Sequence, residues 1–168
     1  MLKAVFPVTF AVLMASPALA LDPGGSITGT IGGQPVEAVI WADQSDYSDY
    51  GTGGKGGSVS LMVNALSKEA GFGTTAIGIE AFSFANGPFD GVDIRILTQT
   101  DPVESYSASL DSGLALTLDE AVMDGEVLKI SGTLEGTVMR GPAYGKPDNP
   151  SDTLPISLHF DAVVPLLE

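Results

Sequence analysis

The sequence predicts an all-β protein, either an antiparallel β-sandwich or a closed β-barrel of about nine short strands. After residue 25, apolar residues recur at every second position in most segments, and clusters of Gly, Pro, Asn and Asp separate these segments. No segment repeats its apolar residues at helical spacing for more than about one turn. The chain therefore lacks the pattern of a helical or α/β protein.

The longest alternating run covers residues 126–139 and predicts a half-buried antiparallel strand. Asp124-Gly125 precedes it and predicts a tight hairpin with the short strand 114–118. One face of the long run is small or apolar, and its members are Leu128, Ile130, Gly132, Leu134, Gly136 and Val138.

The remaining strands follow the same alternation and are predicted at 26–31, 36–41, 58–65, 75–84, 92–97 and 154–164, with residues 104–110 leading into strand 114–118. Gly32-Gly33 predicts a hairpin between the first two. In segment 75–84 the apolar residues change face between Ile79 and Phe82, which predicts a bulge or an edge position.

Two segments share a short pattern, Ile-[Ser/Thr]-Gly-Thr-[Ile/Leu]-x-Gly. It occurs at residues 27–33 and again at residues 130–136. In both segments a glycine takes a position that points inward, as is typical where a bulky side chain or another backbone passes close to a strand. The pattern indicates that the two strands have equivalent places in the fold.

Residues 1–20 have the features of a secretory signal peptide. Lys3 is followed by an apolar run too short to cross a bilayer, and Ala18 and Ala20 form a small-x-small cleavage site. We expect residues 21–168 to form a single all-β domain, located in the periplasm or outside the cell, without membrane insertion after cleavage. The chain has no cysteine, which excludes disulfides, thiol nucleophiles and zinc-thiolate sites.

The charge balance restricts the partners. The chain has 7 basic and 21 acidic residues, and removal of Lys3 with the leader leaves 6 basic residues and a net charge of −15. Such a charge repels nucleic acid and anionic lipid and favours cations or basic partners. We therefore expect no nucleic-acid binding.

Residues 43–57 stand out because acids, tyrosines and glycines replace the apolar alternation, which predicts a long mobile loop. A second loop, predicted at 140–152, contains three prolines. Aromatic side chains on such loops give contact area at low entropic cost, which nominates four binding residues: Trp41, Tyr47, Tyr50 and Tyr144. Three carboxylates in the first loop nominate a calcium site, although their three-residue spacing differs from the two-residue spacing of an EF-hand loop: Asp43, Asp46 and Asp49.

A catalytic set is harder to find. Ser157, His159 and Asp161 share one strand face, but neighbours at this spacing stand side by side, which makes a proton relay awkward. We expect these residues to form the polar, solvent-facing side of an antiparallel strand.

Three functional hypotheses follow. The first is a non-enzymatic binding or protein-interaction module that uses the 42–57 and 140–152 loops. The alternative is a periplasmic carrier of a hydrophobic small molecule inside a barrel, with room left by glycines predicted to face inward, which are Gly29, Gly78, Gly132 and Gly136. The third is a hydrolase that depends on His159.

Overall fold

The computed structural model describes residues 23–49, 59–67, 75–83, 88–98, 104–141 and 149–167. These residues form ten strands and one short 3-10 turn at Leu110–Ser112. The strands are β1 (Pro23–Ile31), β2 (Gln34–Trp41), β3 (Asp46–Asp49), β4 (Val59–Ser67), β5 (Ala76–Ser83), β6 (Phe89–Leu97), β7 (Ser105–Ser109), β8 (Ala115–Asp124), β9 (Val127–Arg140) and β10 (Asn149–Pro165).

Antiparallel pairing joins the strands into one sheet that closes on itself. The order is β1, β2, β4, β5, β6, β7, β9 and β10, and β10 pairs back onto β1. Two more strands extend this ring, since β3 pairs with β4 and β8 pairs with β9. The prediction of an all-β fold is confirmed, and the sheet has the form of a barrel-like ring.

The long strand β9 organises the closure. One of its edges pairs with β10 along its whole length, while the other edge is shared by β8 and β7. Only two residue pairs, Tyr106 with Arg140 and Ser107 with Met139, join β7 to β9. The ring is therefore closed through a short contact, and β8 continues the edge beyond it.

The core lies inside the ring and is built from the alternate residues of each strand. Each large aliphatic side chain buried there contributes about 1.5–3 kcal/mol relative to exposure. Among the described residues, the large side chains that are fully buried include Ile27, Ile40, Val63, Ile77, Val92, Ile94, Ile96, Ile130, Leu134, Val138 and Leu158. The alternation that predicted the strands is thus the alternation between this core and the outer face.

The glycines of the repeated pattern lie where backbones come close together. The strands that carry the pattern, β1 and β9, flank β10 on its two edges. A Cβ at Gly132 would lie 2.5 Å from the carbonyl oxygen of Thr117 and 3.2 Å from the ring of Phe160. A Cβ at Gly29 would collide with the carbonyl oxygen of Ser157. These inward positions are therefore occupied by neighbouring backbone and leave no room for a ligand.

The hairpin predicted at Gly32-Gly33 is observed. Gly32 and Gly33 form the β1–β2 hairpin with φ values of 58° and 77°, which favour glycine at both positions. The predicted change of face in segment 75–84 is not observed, because Ile77, Ile79, Ala81 and Ser83 are all buried and Phe82 is only half-buried. The register shift between Phe82 and Ser83 places the extra residue in β6, where their partners are Gly91 and Phe89. The hairpin before β9 is displaced by one residue, because Asp124 pairs with Val127 and the turn consists of Gly125 and Glu126.

The prediction of a loop from residue 43 onward is wrong for residues 46–49. These residues form β3 and pair with Val59–Met62 of β4. Polar composition argued against a strand, but β4 offers an unpaired edge beyond its contact with β2, and this edge organises the segment.

No helix in the described ranges is long and apolar enough to cross a membrane.

Candidate binding groove on the outer face

A row of residues in register crosses the outer face of five strands. Pairing places Met62 of β4 beside Glu80 of β5, and Glu80 beside Asp93 of β6. The row continues to Asp46 of β3 at one end and to Ser109 of β7 at the other. Because every member of a register row shares one sheet face, these side chains form one continuous surface.

Two adjoining cavities lie along this row, with volumes of about 750 and 450 Å³. Glu80 and Asp93 line both of them, so we treat the two as one feature, the outer groove. The larger cavity extends over β4–β7 to Met139 of β9, and the smaller extends from Asp46 to Leu167. Both volumes fall in the range of about 300–1,000 Å³ that is typical of ligand sites.

A glycine in the middle of β5 forms part of the floor of the larger cavity. Gly78 pairs with Asn64 on one side and with Arg95 on the other. A Cβ added to Gly78 would lie 3.5 Å from Oδ1 of Asn64, an ordinary contact, and its φ is not in the left-handed region. Neither backbone geometry nor packing therefore requires glycine at this position.

The position of Gly78 corrects the sequence interpretation, which placed it among the inward glycines. Its neighbours Ile77 and Ile79 are buried in the core, so Gly78 faces outward. In the smaller cavity Gly91 has a similar place, since a Cβ there would lie 3.6 Å from Cβ of Phe82.

The centre of the groove carries two carboxylates directly opposite each other. Glu80 and Asp93 are paired across β5 and β6, and neither forms an ion pair within the part of the chain that the structure describes. Like charges in this arrangement are destabilising. The nearby Arg95 donates a hydrogen bond from Nε to Oγ of Ser105 at 3.3 Å, and Ser105 lies on the side of Arg95 away from Asp93.

Asn64 connects the groove to the turn before β3. Its backbone N–H donates to Oγ of the buried Ser45 at 2.8 Å, and its Nδ2 donates to the carbonyl of Gln44 at 2.6 Å. The first of these bonds gives the backbone of β4 a partner at Asn64, which lies between the residues paired with β3 and those paired with β2. The two bonds also hold Oδ1 of Asn64 beside Gly78, where it can accept a hydrogen bond from a ligand.

Apolar side chains lie at both ends of the groove. Met62 is 38% exposed and Leu167 is 55% exposed at the end with the smaller cavity, where Phe82 is half-buried. Met139 is 38% exposed at the opposite end, beside the half-buried Leu97. The groove thus has an acidic centre between two apolar ends.

The aromatic residues nominated from the sequence are only partly described. Trp41 ends β2 and is half-buried, and its buried Nε1 has no hydrogen-bond partner in the described ranges. Tyr47 lies in β3, opposite Leu61, but its side chain is outside the described set. Tyr50 and Tyr144 lie outside the described residues, as does most of both predicted loops.

The nominated calcium ligands occupy different local environments. Asp43 is exposed in the turn after β2, and Asp46 lines the smaller cavity. Asp49 is the last residue of β3, and its side chain is outside the described set. Among the residues described, no group of three or more His, Cys, Asp or Glu has the arrangement of a metal site. The calcium site stays a prediction from sequence.

Ser157, His159 and Asp161 lie side by side on the outer face of β10. Ser157 Oγ donates to Oε1 of Glu135 at 3.2 Å, and Nδ1 of His159 is 3.9 Å from Oδ2 of Asp119. The serine and the histidine therefore face different carboxylates on β9 and β8. This geometry does not provide the hydrogen bond between nucleophile and base that hydrolysis requires.

A polar cluster secures the short β7–β9 closure. The guanidinium of Arg140 contacts Oε1 of Glu104 at 3.1 Å and Oδ2 of Asp152 at 2.9 Å, and the hydroxyl of Tyr106 donates to Oε2 of Glu104 at 3.2 Å. Burial, followed by the hydrogen bond to Glu104, raises the pKa of Tyr106 above its usual 10.0. The hydrogen bond to Asp152 raises the pKa of Arg140. Every polar group of the cluster has a partner within it, so we assign it a structural role.

The chain matches no family model, and no curated protein or solved structure is detectably similar to it.

Proposed function

We propose that the protein is an exported, non-enzymatic binding module whose contact surface is the outer groove. Asp46, within the 42–57 segment, lines one end of the groove, and Met139, which precedes the 140–152 segment, lines the other. The proposal therefore keeps the binding function expected from the sequence and centres it on the described sheet face.

The observation that carries the proposal is the glycine at position 78. Glycine in a strand interior is destabilising by roughly 0.5–1 kcal/mol relative to alanine, so its presence needs a reason. The inward glycines of the sheet, such as Gly29 and Gly132, have one, because neighbouring backbone would collide with a Cβ. Gly78 has no such neighbour and lies on a cavity floor, as is typical where a ligand approaches the backbone.

Packing favours the outer groove over the interior as the ligand site. The positions expected to leave interior space are Gly29, Gly132 and Gly136, and a Cβ at each would meet backbone atoms closer than an ordinary contact. Gly78, the fourth, faces the groove. A carrier with an interior ligand is therefore the weaker candidate.

Export is part of the same proposal and rests on the sequence. The leader at 1–20 is typical of a secreted or periplasmic protein. We infer that the partner is met in the periplasm or outside the cell.

Site-specific photo-crosslinking in the native cells tests the contact surface. A benzoylphenylalanine replaces Ser107, an exposed residue that lines the larger cavity, and in a matched variant it replaces Thr28, an exposed residue on the outer face of β1. We expect a discrete adduct from position 107 and none from position 28, and we expect Gly78→Leu to abolish the adduct by filling the groove. Adducts of equal yield at both positions, or an adduct unaffected by Gly78→Leu, would contradict the proposal.

A further inference from the structure

We propose that the outer groove binds an extended peptide segment that presents one lysine or arginine between apolar side chains. This inference rests on the proposed function and specifies the chemistry of the ligand. It follows from the charge at the centre of the groove, the apolar residues at its ends and the glycine floor between them.

The charge at the centre is complementary to a cation. Glu80 and Asp93 oppose each other without an ion pair in the described ranges, and Asp46 lies in the same register row. Among the described residues, Arg95 is the one cationic side chain that lines the larger cavity, and it is hydrogen-bonded to Ser105 without an ion pair to either carboxylate. A single cationic group placed between the two carboxylates would relieve their repulsion.

The ends of the groove define the rest of the ligand. Neighbouring strands lie about 4.8 Å apart, so the four steps from Met62 on β4 to Met139 on β9 cover roughly 19 Å along the sheet. An extended peptide advances about 3.3 Å per residue, and roughly six residues therefore cover this distance. Apolar side chains on both sides of the basic residue would contact the exposed Met62 and Met139.

The floor fits a peptide backbone. At Gly78 the absence of a side chain lets a second main chain approach the sheet, and Oδ1 of Asn64 is placed there to accept an amide N–H. The hydroxyl of Ser107, on the adjacent strand, and the guanidinium of Arg95 can donate to peptide carbonyls. A compact cation such as a free metal ion would use neither the guanidinium of Arg95 nor the open floor at Gly78.

Fluorescence polarisation with three labelled seven-residue peptides tests the inference. The first has a leucine at each end, an arginine two positions after the first leucine, and serine elsewhere. The second replaces arginine by citrulline, which has nearly the same shape without the charge, and the third replaces it by glutamate. We expect the arginine peptide to bind at least tenfold more tightly than the citrulline peptide and the glutamate peptide not to bind, with the affinity falling as salt is added.

Variants separate the groove from the general negative charge of the protein. The double variant Glu80→Gln, Asp93→Asn should weaken the arginine peptide at least tenfold, as should Gly78→Leu. The control Asp161→Asn removes a carboxylate from the outer face of β10, between Ser26 and Ser131, and should leave binding unchanged. Each variant is used only after its circular dichroism spectrum and cooperative melting match those of the parent.

The outcomes distinguish this inference from the proposed function. Equal affinity for the arginine and citrulline peptides, or equal weakening by Asp161→Asn and by the double variant, would overturn the basic-peptide inference. Binding of a neutral oligosaccharide that is abolished by Gly78→Leu would also overturn it, while leaving the groove as a binding site. Peptide binding that persists unchanged in Gly78→Leu would overturn both.

Discussion

Replacement of Gly78 by alanine should stabilise the protein, because the fold does not require glycine there. The new Cβ would lie 3.5 Å from Oδ1 of Asn64 and would meet nothing closer. Alanine also restricts the unfolded chain, which contributes about 0.4–1 kcal/mol at a compatible position. For a domain of this size the melting temperature should rise by about 1–4 °C.

The matched control is Gly132→Ala, in the repeated pattern on β9. There the Cβ would lie 2.5 Å from the carbonyl oxygen of Thr117, so β8 would have to shift, at a cost of about 1–3 kcal/mol. Urea unfolding and thermal melting of both variants measure the contrast. A loss of stability in Gly78→Ala similar to that in Gly132→Ala would refute the argument that glycine is kept at position 78 for a ligand.

The remaining predictions concern charge, pH and calcium. Glu80→Gln should raise stability by about 0.2–1 kcal/mol by removing the repulsion from Asp93, more than Asp161→Asn does, and the difference should shrink in about 1 M salt. Because the pKa of Tyr106 is raised above 10.0, the folded state holds the phenol proton that the unfolded chain loses, so its stabilising effect is present below pH 10 and declines above it. Melting curves from about pH 9 to about pH 11 should therefore show the advantage of the parent over Tyr106→Phe narrowing as the pH rises. For the calcium site predicted at Asp43, Asp46 and Asp49, about 1 mM calcium should raise the melting temperature of the parent and Asp46→Asn should blunt that rise, whereas an equal rise in both proteins would contradict the site.

Local signals in the sequence were sufficient for β9 and for the first hairpin. The alternation in residues 126–139 predicted β9 to within one residue at each end, and Gly32-Gly33 predicted the first hairpin. The buried face of β9 selects apolar residues at alternate positions, and the positive φ values of the hairpin select glycine. Residues close together in the sequence were therefore sufficient to predict both elements. The prediction failed for β3, whose polar residues are ordered by the edge of β4, a contact between distant segments.

The groove was missed for the same physical reason. Glu80 and Asp93 are unremarkable in their own strands, and only the β5–β6 register sets them opposite each other. Gly78 was assigned to the wrong face because glycine has no side chain whose polarity would indicate a face of the sheet. The buried Ile77 and Ile79 on either side show that position 78 faces outward. That pair of isoleucines was the signal in the sequence that indicated an outward glycine.

Two-dimensional ¹H–¹⁵N NMR on the isotope-labelled mature protein, titrated with the arginine peptide, tests the central claim most directly. If the outer groove is the contact surface, the largest shift changes should fall on amides of the outward positions of β4–β7, including Gly78 and Ser107, and should disappear in Gly78→Leu. Changes confined to the outer face of β10 and β1, around Thr28 and His159, would contradict the account.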